Sequence, residues 1–199
     1  GVEVDHTRAV QLYRAAHEGG YPPGTCALGL CYELGQGVER DLDRALELYR
    51  QAADAGDARA QCNLGYCYYR AIGVVEDNER AAFWFDKAAQ QGNSRALFLL
   101  GQCYEGGYGV EADLEKAAQL YAQADEKGHP AAACALGLCY ELGRGVEADL
   151  DRAVELYRRA AEGGEARGMC NLGFCYYQGI GVERDDSQAV LWFQRAADE

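Results

Sequence analysis

In 199 residues this chain holds two serines, three histidines, three prolines and one methionine. Hydroxyl nucleophiles and imidazole bases are therefore nearly absent. Ser94 and Ser187 fall near turns or helix starts, and His6, His17 and His129 keep no regular phase with any serine or cysteine. A nucleophile needs a base within hydrogen-bond reach and a third group to orient it. No spacing here supplies that, so no catalytic residue is expected. The G-x-x-x-x-G-K-[ST] phosphate loop is missing too, and no cofactor is expected. No apolar run approaches the ~18–20 residues of a membrane-spanning helix. Positive charge is scarce as well: 19 Lys and Arg face 32 Asp and Glu, for a net charge of −13. That average field repels a phosphate backbone, which argues against nucleic acid as a partner.

What the chain does hold is glycine, alanine and aromatic residues in strict order. The pair Leu-Gly falls at Leu28, Leu64, Leu100, Leu136 and Leu172, each followed by its glycine, 36 residues apart every time. Tyr32, Tyr68, Tyr104, Tyr140 and Tyr176 follow three residues after those glycines. A second block reads Gly-Val, then Asp, then Ala four residues on, then an aromatic four further, as in Gly37, Val38, Asp41, Ala45 and Tyr49.

Each column has a physical job. Asp5, Asp41, Asp77, Asp113, Asp149 and Asp185 stand just before an apolar i, i+4 pattern, where a carboxylate can accept bonds from free helix N–H groups. The Ala and the aromatic four residues later share one helix face. Gly20, Gly56, Gly92, Gly128 and Gly164 follow the helix ends, where a left-handed residue costs least. The Leu-Gly segment has its own helical period, its glycine letting a neighbouring helix come close. Each unit is thus a helix A, a glycine-rich turn and a helix B. One hairpin cannot bury its apolar faces alone, so the copies must stack. The expected fold is an all-α solenoid of 36-residue helix–turn–helix repeats in a single array. It has a lone helix B over residues 1–19 and five full repeats at 20–55, 56–91, 92–127, 128–163 and 164–199. An array that opens on half a repeat, at Gly1, is expected to be a piece of a longer protein.

A longer period overlies the short one. Residues 26–53 and 134–161 match at 24 of 28 positions, 108 residues apart, and both contain CALGLCYELG. Residues 62–89 and 170–197 also pair better than neighbouring units do. A three-unit block was duplicated.

These columns, carried for example by ARAQCNLGYCYYRAIGVVEDNERAAFWFDKAAQQG, resemble the Sel1-like repeat, a relative of the tetratricopeptide repeat. The resemblance covers the whole chain. It implies a right-handed superhelix whose concave surface is built largely by the A helices. It also implies a scaffold or adaptor role, in bacterial signalling, secretion or host contact, or in eukaryotic protein quality control.

Nine cysteines fall in two columns: Cys31, Cys67, Cys103, Cys139 and Cys175, and Cys26, Cys62, Cys134 and Cys170. Packing, disulfide bonding, and metal or redox chemistry are three readings of them. Residues five apart on a helix point ~140° from each other, and equivalent residues of stacked helices lie ~8–10 Å apart, beyond the ~7 Å limit for a bridge. No close-set Cys-x₂₋₄-Cys or Cys/His cluster suggests zinc. The bridging pattern of cysteine-rich Sel1-like proteins is missing, with alanines such as Ala52 and Ala160 at the helix B ends instead. Packed, reduced thiols are favoured, and with them a reducing compartment such as the bacterial cytoplasm.

If the A helices line the concave side, the stripe i, i+4, i+7, i+8 of each faces a partner. It starts at Cys26, Cys62, Phe98, Cys134 and Cys170, and Leu34, Gly106, Leu142 and Gln178 close it in four of the units. Its candidate binding residues are Leu30, Glu33, Tyr66, Tyr69, Arg70, Phe98, Gln102, Glu105, Leu138, Glu141, Phe174 and Tyr177. Arg70 is almost its only cation. The expected guest is a protein or peptide with apolar anchors and Lys or Arg to meet Glu33, Glu105 and Glu141. Tyr66, Tyr69 and Phe98 are of the types that make hot spots. The leading expectation is a non-enzymatic interaction scaffold. End-to-end self-association through the open ends is the alternative, and a cysteine-dependent hydrolase or metal-binding protein a more distant third.

Overall fold

A computed structural model describes residues 5–198. Eleven helices of 13 residues each occupy them: α1 (His6–Glu18), α2 (Pro22–Leu34), α3 (Leu42–Asp54), α4 (Ala58–Arg70), α5 (Asn78–Gln90), α6 (Ser94–Gly106), α7 (Leu114–Glu126), α8 (Pro130–Leu142), α9 (Leu150–Glu162), α10 (Ala166–Gln178) and α11 (Asp186–Asp198). No strand occurs among the described residues. Even-numbered helices are the A helices and odd-numbered ones the B helices.

The B helices start where the aspartates stand. Asp5, Asp41, Asp77, Asp113 and Asp149 each accept a bond from the backbone N–H three residues on, and Asp185 accepts from Gln188 N–H at 3.0 Å. Each cap satisfies a donor that the helix cannot, at about 1 kcal/mol. In every hairpin the backbone N–H of the aspartate also donates to the carbonyl of the repeat tyrosine, from Asp41 to Tyr32 at 3.0 Å through Asp185 to Tyr176 at 2.9 Å. The two columns most visible in the sequence therefore close the same loop.

The A helices end on a left-handed residue, and the residue after it returns a backbone bond to the cysteine carbonyl five positions earlier, as from Gln36 to Cys31 and from Arg144 to Cys139. Four of the five repeats place glycine in that left-handed position. The second places Ala71, which keeps φ at 54°.

The Leu-Gly glycines sit where helix B presses closest. A Cβ on Gly137 would lie 2.7 Å from the Tyr157 ring, and one on Gly101 would lie 2.6 Å from Tyr121. Those rings, with Tyr49 and Phe85, are fully buried, each contributing roughly 1.5–3 kcal/mol of apolar burial.

The chain divides into two compact units, Gly1–Ala96 and Leu97–Glu199. In the first, α2 packs on α3 and α4 on α5, with α1 against α2 and α3 against α4. In the second, α8 packs on α9 and α10 on α11, with α7 against α8 and α9 against α10. Within each unit neighbouring A helices touch, α2 with α4 and α8 with α10, whereas α3 and α5, or α9 and α11, make no comparable contact. The A helices are thus, within each unit, the layer whose neighbours meet directly.

Candidate protein-binding face

The A-helix stripe divides into exposed residues and half-buried ones. Leu30, Phe174 and Tyr177 are 42%, 47% and 48% exposed, and Arg70 is exposed. Tyr66, Tyr69, Phe98, Gln102 and Leu138 are half-buried. Tyr69 meets the Phe85 ring edge-on at 6.4 Å. Phe98 lies 5.7 Å from the Tyr121 ring and stacks on the His129 ring at 4.9 Å. Tyr66 lies under the Arg95 guanidinium at 4.7 Å. The first position of the stripe is closed to a partner in three of the five repeats: Cys26, Cys62 and Cys134 are buried, whereas Phe98 is half-buried and Cys170 exposed. This corrects the expectation of a cysteine-lined rim, because that column faces the adjoining A helix. Asn63 Nδ2 points at Cys26 Sγ at 3.7 Å, and Asn171 Nδ2 at Cys134 Sγ at 3.5 Å.

The three glutamates are half-buried and hydrogen-bonded within their own hairpins. The Tyr49 hydroxyl donates to Glu33 at 2.6 Å and the Tyr121 hydroxyl to Glu105 at 2.7 Å, while the Tyr157 hydroxyl makes the same bond to Glu141. Burial, followed by the glutamate beside it, raises each phenol far above the ordinary tyrosine range, so each stays a proton donor. Where helix B carries Phe instead, no hydroxyl needs an acceptor, and tyrosine replaces the glutamate: Tyr69 with Phe85, Tyr177 with Phe193. Replacing Glu33 by alanine leaves a fully buried hydroxyl unpaired and is expected to cost about 1–3 kcal/mol. Combining Glu33→Tyr with Tyr49→Phe, the pair used in the second repeat, should recover part of that loss in a urea-unfolding double-mutant cycle.

All nine cysteines are free thiols and eight are buried. Burial pushes Cys26 and Cys67 up to about 12 and Cys62, Cys103, Cys134, Cys139 and Cys175 to about 11. The thiolate is the nucleophile, so these groups are inert near neutrality. At pH 8 the native chain should show one fast thiol toward an alkylating reagent, Cys170, with the other eight reacting only on unfolding. Several fast thiols in the folded chain would contradict the packing role. Among the described residues no group of three or more His, Cys, Asp or Glu side chains is placed to hold a metal ion, and no helix is long and apolar enough to cross a membrane.

A cleft opens on the A face of each unit. The one in the first unit, about 490 Å³, includes Tyr13, Cys26, Ala27, Leu30, Arg59 and Asn63. The one in the second, about 110 Å³, includes Tyr121, Cys134, Ala135, Leu138, Arg167 and Asn171. These are the same six positions 108 residues apart, so the duplicated block carries its cleft with it. Arg59, Arg95 and Arg167 were not among the expected site residues. They stand three residues before Cys62, Phe98 and Cys170, one turn back along the same stripe, so extending the stripe by a turn would have found them. Arg70 is therefore not nearly the only cation on this face.

The Sel1 repeat matches six consecutive segments, residues 1–21, 22–57, 58–93, 94–129, 130–165 and 166–199. A protective antigen of uropathogenic Escherichia coli strains displaying an SLR fold is similar over 98% of this chain, at 36% identity and a TM-score of 0.87. The present chain spans only 42% of that protein. A Sel1 repeat protein from Oxalobacter formigenes is similar over 96% of this chain and 82% of its own length, at 29% identity and a TM-score of 0.86. No match is found among curated proteins. With the repeat matched from end to end, the chain belongs to the Sel1 repeat family, whose members generally mediate protein–protein interaction and are typically non-enzymatic scaffolds.

Proposed function

We propose that this chain is a non-enzymatic scaffold that holds a protein or peptide against its A-helix face, with apolar side chains of the partner anchored at the clefts beside Leu30 and Leu138. The observation that carries the reading is the cleft itself, repeated at matching positions in both units. Exposed Leu34 extends apolar surface on the A helices of the first unit, and Leu142, Phe174 and Tyr177 on those of the second. Recognition there uses Leu30, Tyr66, Arg70, Gln102, Leu138, Phe174 and Tyr177 directly, while Tyr69 and Phe98 shape the wall through their ring contacts. In the second unit Glu105, Glu141 and Glu165 suit a guest bearing Lys or Arg next to its apolar anchor.

The test is affinity capture from a lysate of the source cells, with the native chain beside a Leu30→Glu/Phe174→Glu variant. Both positions are exposed, so the two proteins should melt alike. A partner held by the native chain and weakened about tenfold or more in the variant fits hot-spot loss. Partners retained equally by both would sink the reading. A second reading draws on exposed Leu12 and Tyr13 on α1 and exposed Val190, Leu191 and Phe193 on α11: self-association of copies through these faces. It predicts a solution mass that rises with concentration, which the scaffold reading does not require.

A further inference from the structure

The two clefts share a floor but differ in charge. The first unit's cleft gathers the guanidinium groups of Arg59 and Arg95, the amides of Asn63 and Asn93, and the Ser94 hydroxyl, with one acid, Asp57, beside Cys26 at its edge. Its copy sets Arg167 beside Glu105 and Glu165. In a chain with 32 acidic residues against 19 Lys and Arg, a cleft in which two cations outnumber its one acid is unexpected. Arg44, Arg80, Arg144, Arg152, Arg159 and Arg184 all pair with a carboxylate. Arg59 and Arg95, like Arg167, form no salt bridge among the described residues.

Arg95 is nonetheless held in place. Its Nη1 donates to Asn63 Oδ1 at 3.4 Å and its guanidinium covers the Tyr66 ring at 4.7 Å. A stacked guanidinium keeps the plane and the fork of N–H donors that a carboxylate matches. Leu30 and Tyr13 supply an apolar surface in the same cleft.

We propose that the first unit's cleft binds an aspartate or glutamate side chain of a partner peptide, with the neighbouring apolar side chain of that peptide resting on Leu30. This rests on the A face being a protein-binding surface, and it assigns the two clefts opposite charge preferences. Arg59 and Arg95 hold the carboxylate between them, and Asn93 and Ser94 at the start of α6 line the same wall. A cleft of this composition separates a carboxylate from its amide isostere, because only the charged form gains charge-assisted bonds from both arginines.

A library of random peptides displayed on phage, selected on the full chain, tests this. Selected peptides should be enriched in Asp or Glu next to Leu, Phe or Trp. A synthetic copy of one should lose about tenfold or more in affinity when that acid is changed to its amide. A similar loss is expected on Arg59→Gln and on Arg59→Gln/Arg95→Gln, and little on Arg167→Gln. Arg59→Gln alone avoids disturbing the packing on Tyr66, so its folded stability should match that of the native chain. Peptides without acids, or peptides that bind the Arg59→Gln chain as well as the native one, would overturn the carboxylate assignment and leave the protein-binding reading standing. Selection of no peptide above a blank surface would overturn both.

Discussion

Raised from pH 8 to pH 10, the folded chain loses stability steeply. The thiols that burial pushes to about 11 or 12 have an ordinary value of 9.0. Between pH 9 and 11 the unfolded chain has released protons that the folded chain still holds. The stability these groups confer is whole below pH 9 and is lost as the pH climbs through their folded values. Each thiol contributes about 1 kcal/mol per pH unit in that window. Cys26, Cys62 and Cys67 act together in the first unit, and Cys103, Cys134, Cys139 and Cys175 in the second. The sum is a large fraction of the stability of an ordinary domain. The buried phenols Tyr49, Tyr121 and Tyr157 push in the same direction at higher pH. Urea midpoints at pH 8, 9 and 10 measure the effect. A chain with Cys26, Cys31, Cys62 and Cys67 replaced by alanine should show a shallower fall, with Cys103, Cys134, Cys139 and Cys175 still contributing theirs. Equal falls in the two proteins would assign the alkaline loss to other groups.

The second large effect belongs to Gly145, in the loop between α8 and α9. Its φ is +71°, and a Cβ there would stand 2.1 Å from the Leu114 carbonyl oxygen and 2.7 Å from the Glu115 nitrogen, in the first turn of α7. Both obstacles are backbone and neither can swing aside. Gly37 rides over His6 and Gly181 over Leu150 in the same way. The Gly-Val column thus sets how closely one hairpin sits on the preceding helix B, and through that spacing it positions the A helices that carry the clefts. Gly145→Ala combines left-handed strain with a backbone clash and is expected to cost about 3 kcal/mol or more. Gly128→Ala is the comparator. Gly128 has φ of +75° and nothing within 4 Å of a Cβ, so only the conformational cost of about 1 kcal/mol applies. Thermal or urea unfolding of the two variants should separate them clearly. Equal losses would mean that the contact with α7 carries no weight.

The phase of this fold could be read from the sequence because the same identities return every 36 residues, and each has a local job. Aspartate caps, left-handed glycines and the Leu-Gly approach to an aromatic ring all follow from backbone and helix-face rules that need no knowledge of the neighbours. The binding face was harder, because it depends on how one helix A lies against the next. Cys26, Cys62 and Cys134 occupy that seam and are buried, so the open part of the stripe lies toward Leu30 and, one turn back, toward Arg59 and Arg95. Glu33 looked like a free surface charge. Its partner Tyr49 lies 16 residues away across the hairpin. A trace of the pairing was present all the same: Glu goes with Tyr at 33/49, 105/121 and 141/157, and Tyr with Phe at 69/85 and 177/193. The internal repeats serve as an alignment of the chain with itself, and pair exchange between columns marks contact.

The proposed partner-binding surface is the A-helix face of each unit. The direct measurement places a photo-reactive residue at Leu30, Leu138 or Phe174 on A helices, and at exposed Gln51 or Gln123 on the B helices α3 and α7, then irradiates the chain with its captured partner. A partner docked on the A helices gives covalent adducts from the A-helix positions and none from Gln51 or Gln123. Adducts from the B-helix positions alone would contradict this placement and move the binding surface to the opposite side of each hairpin.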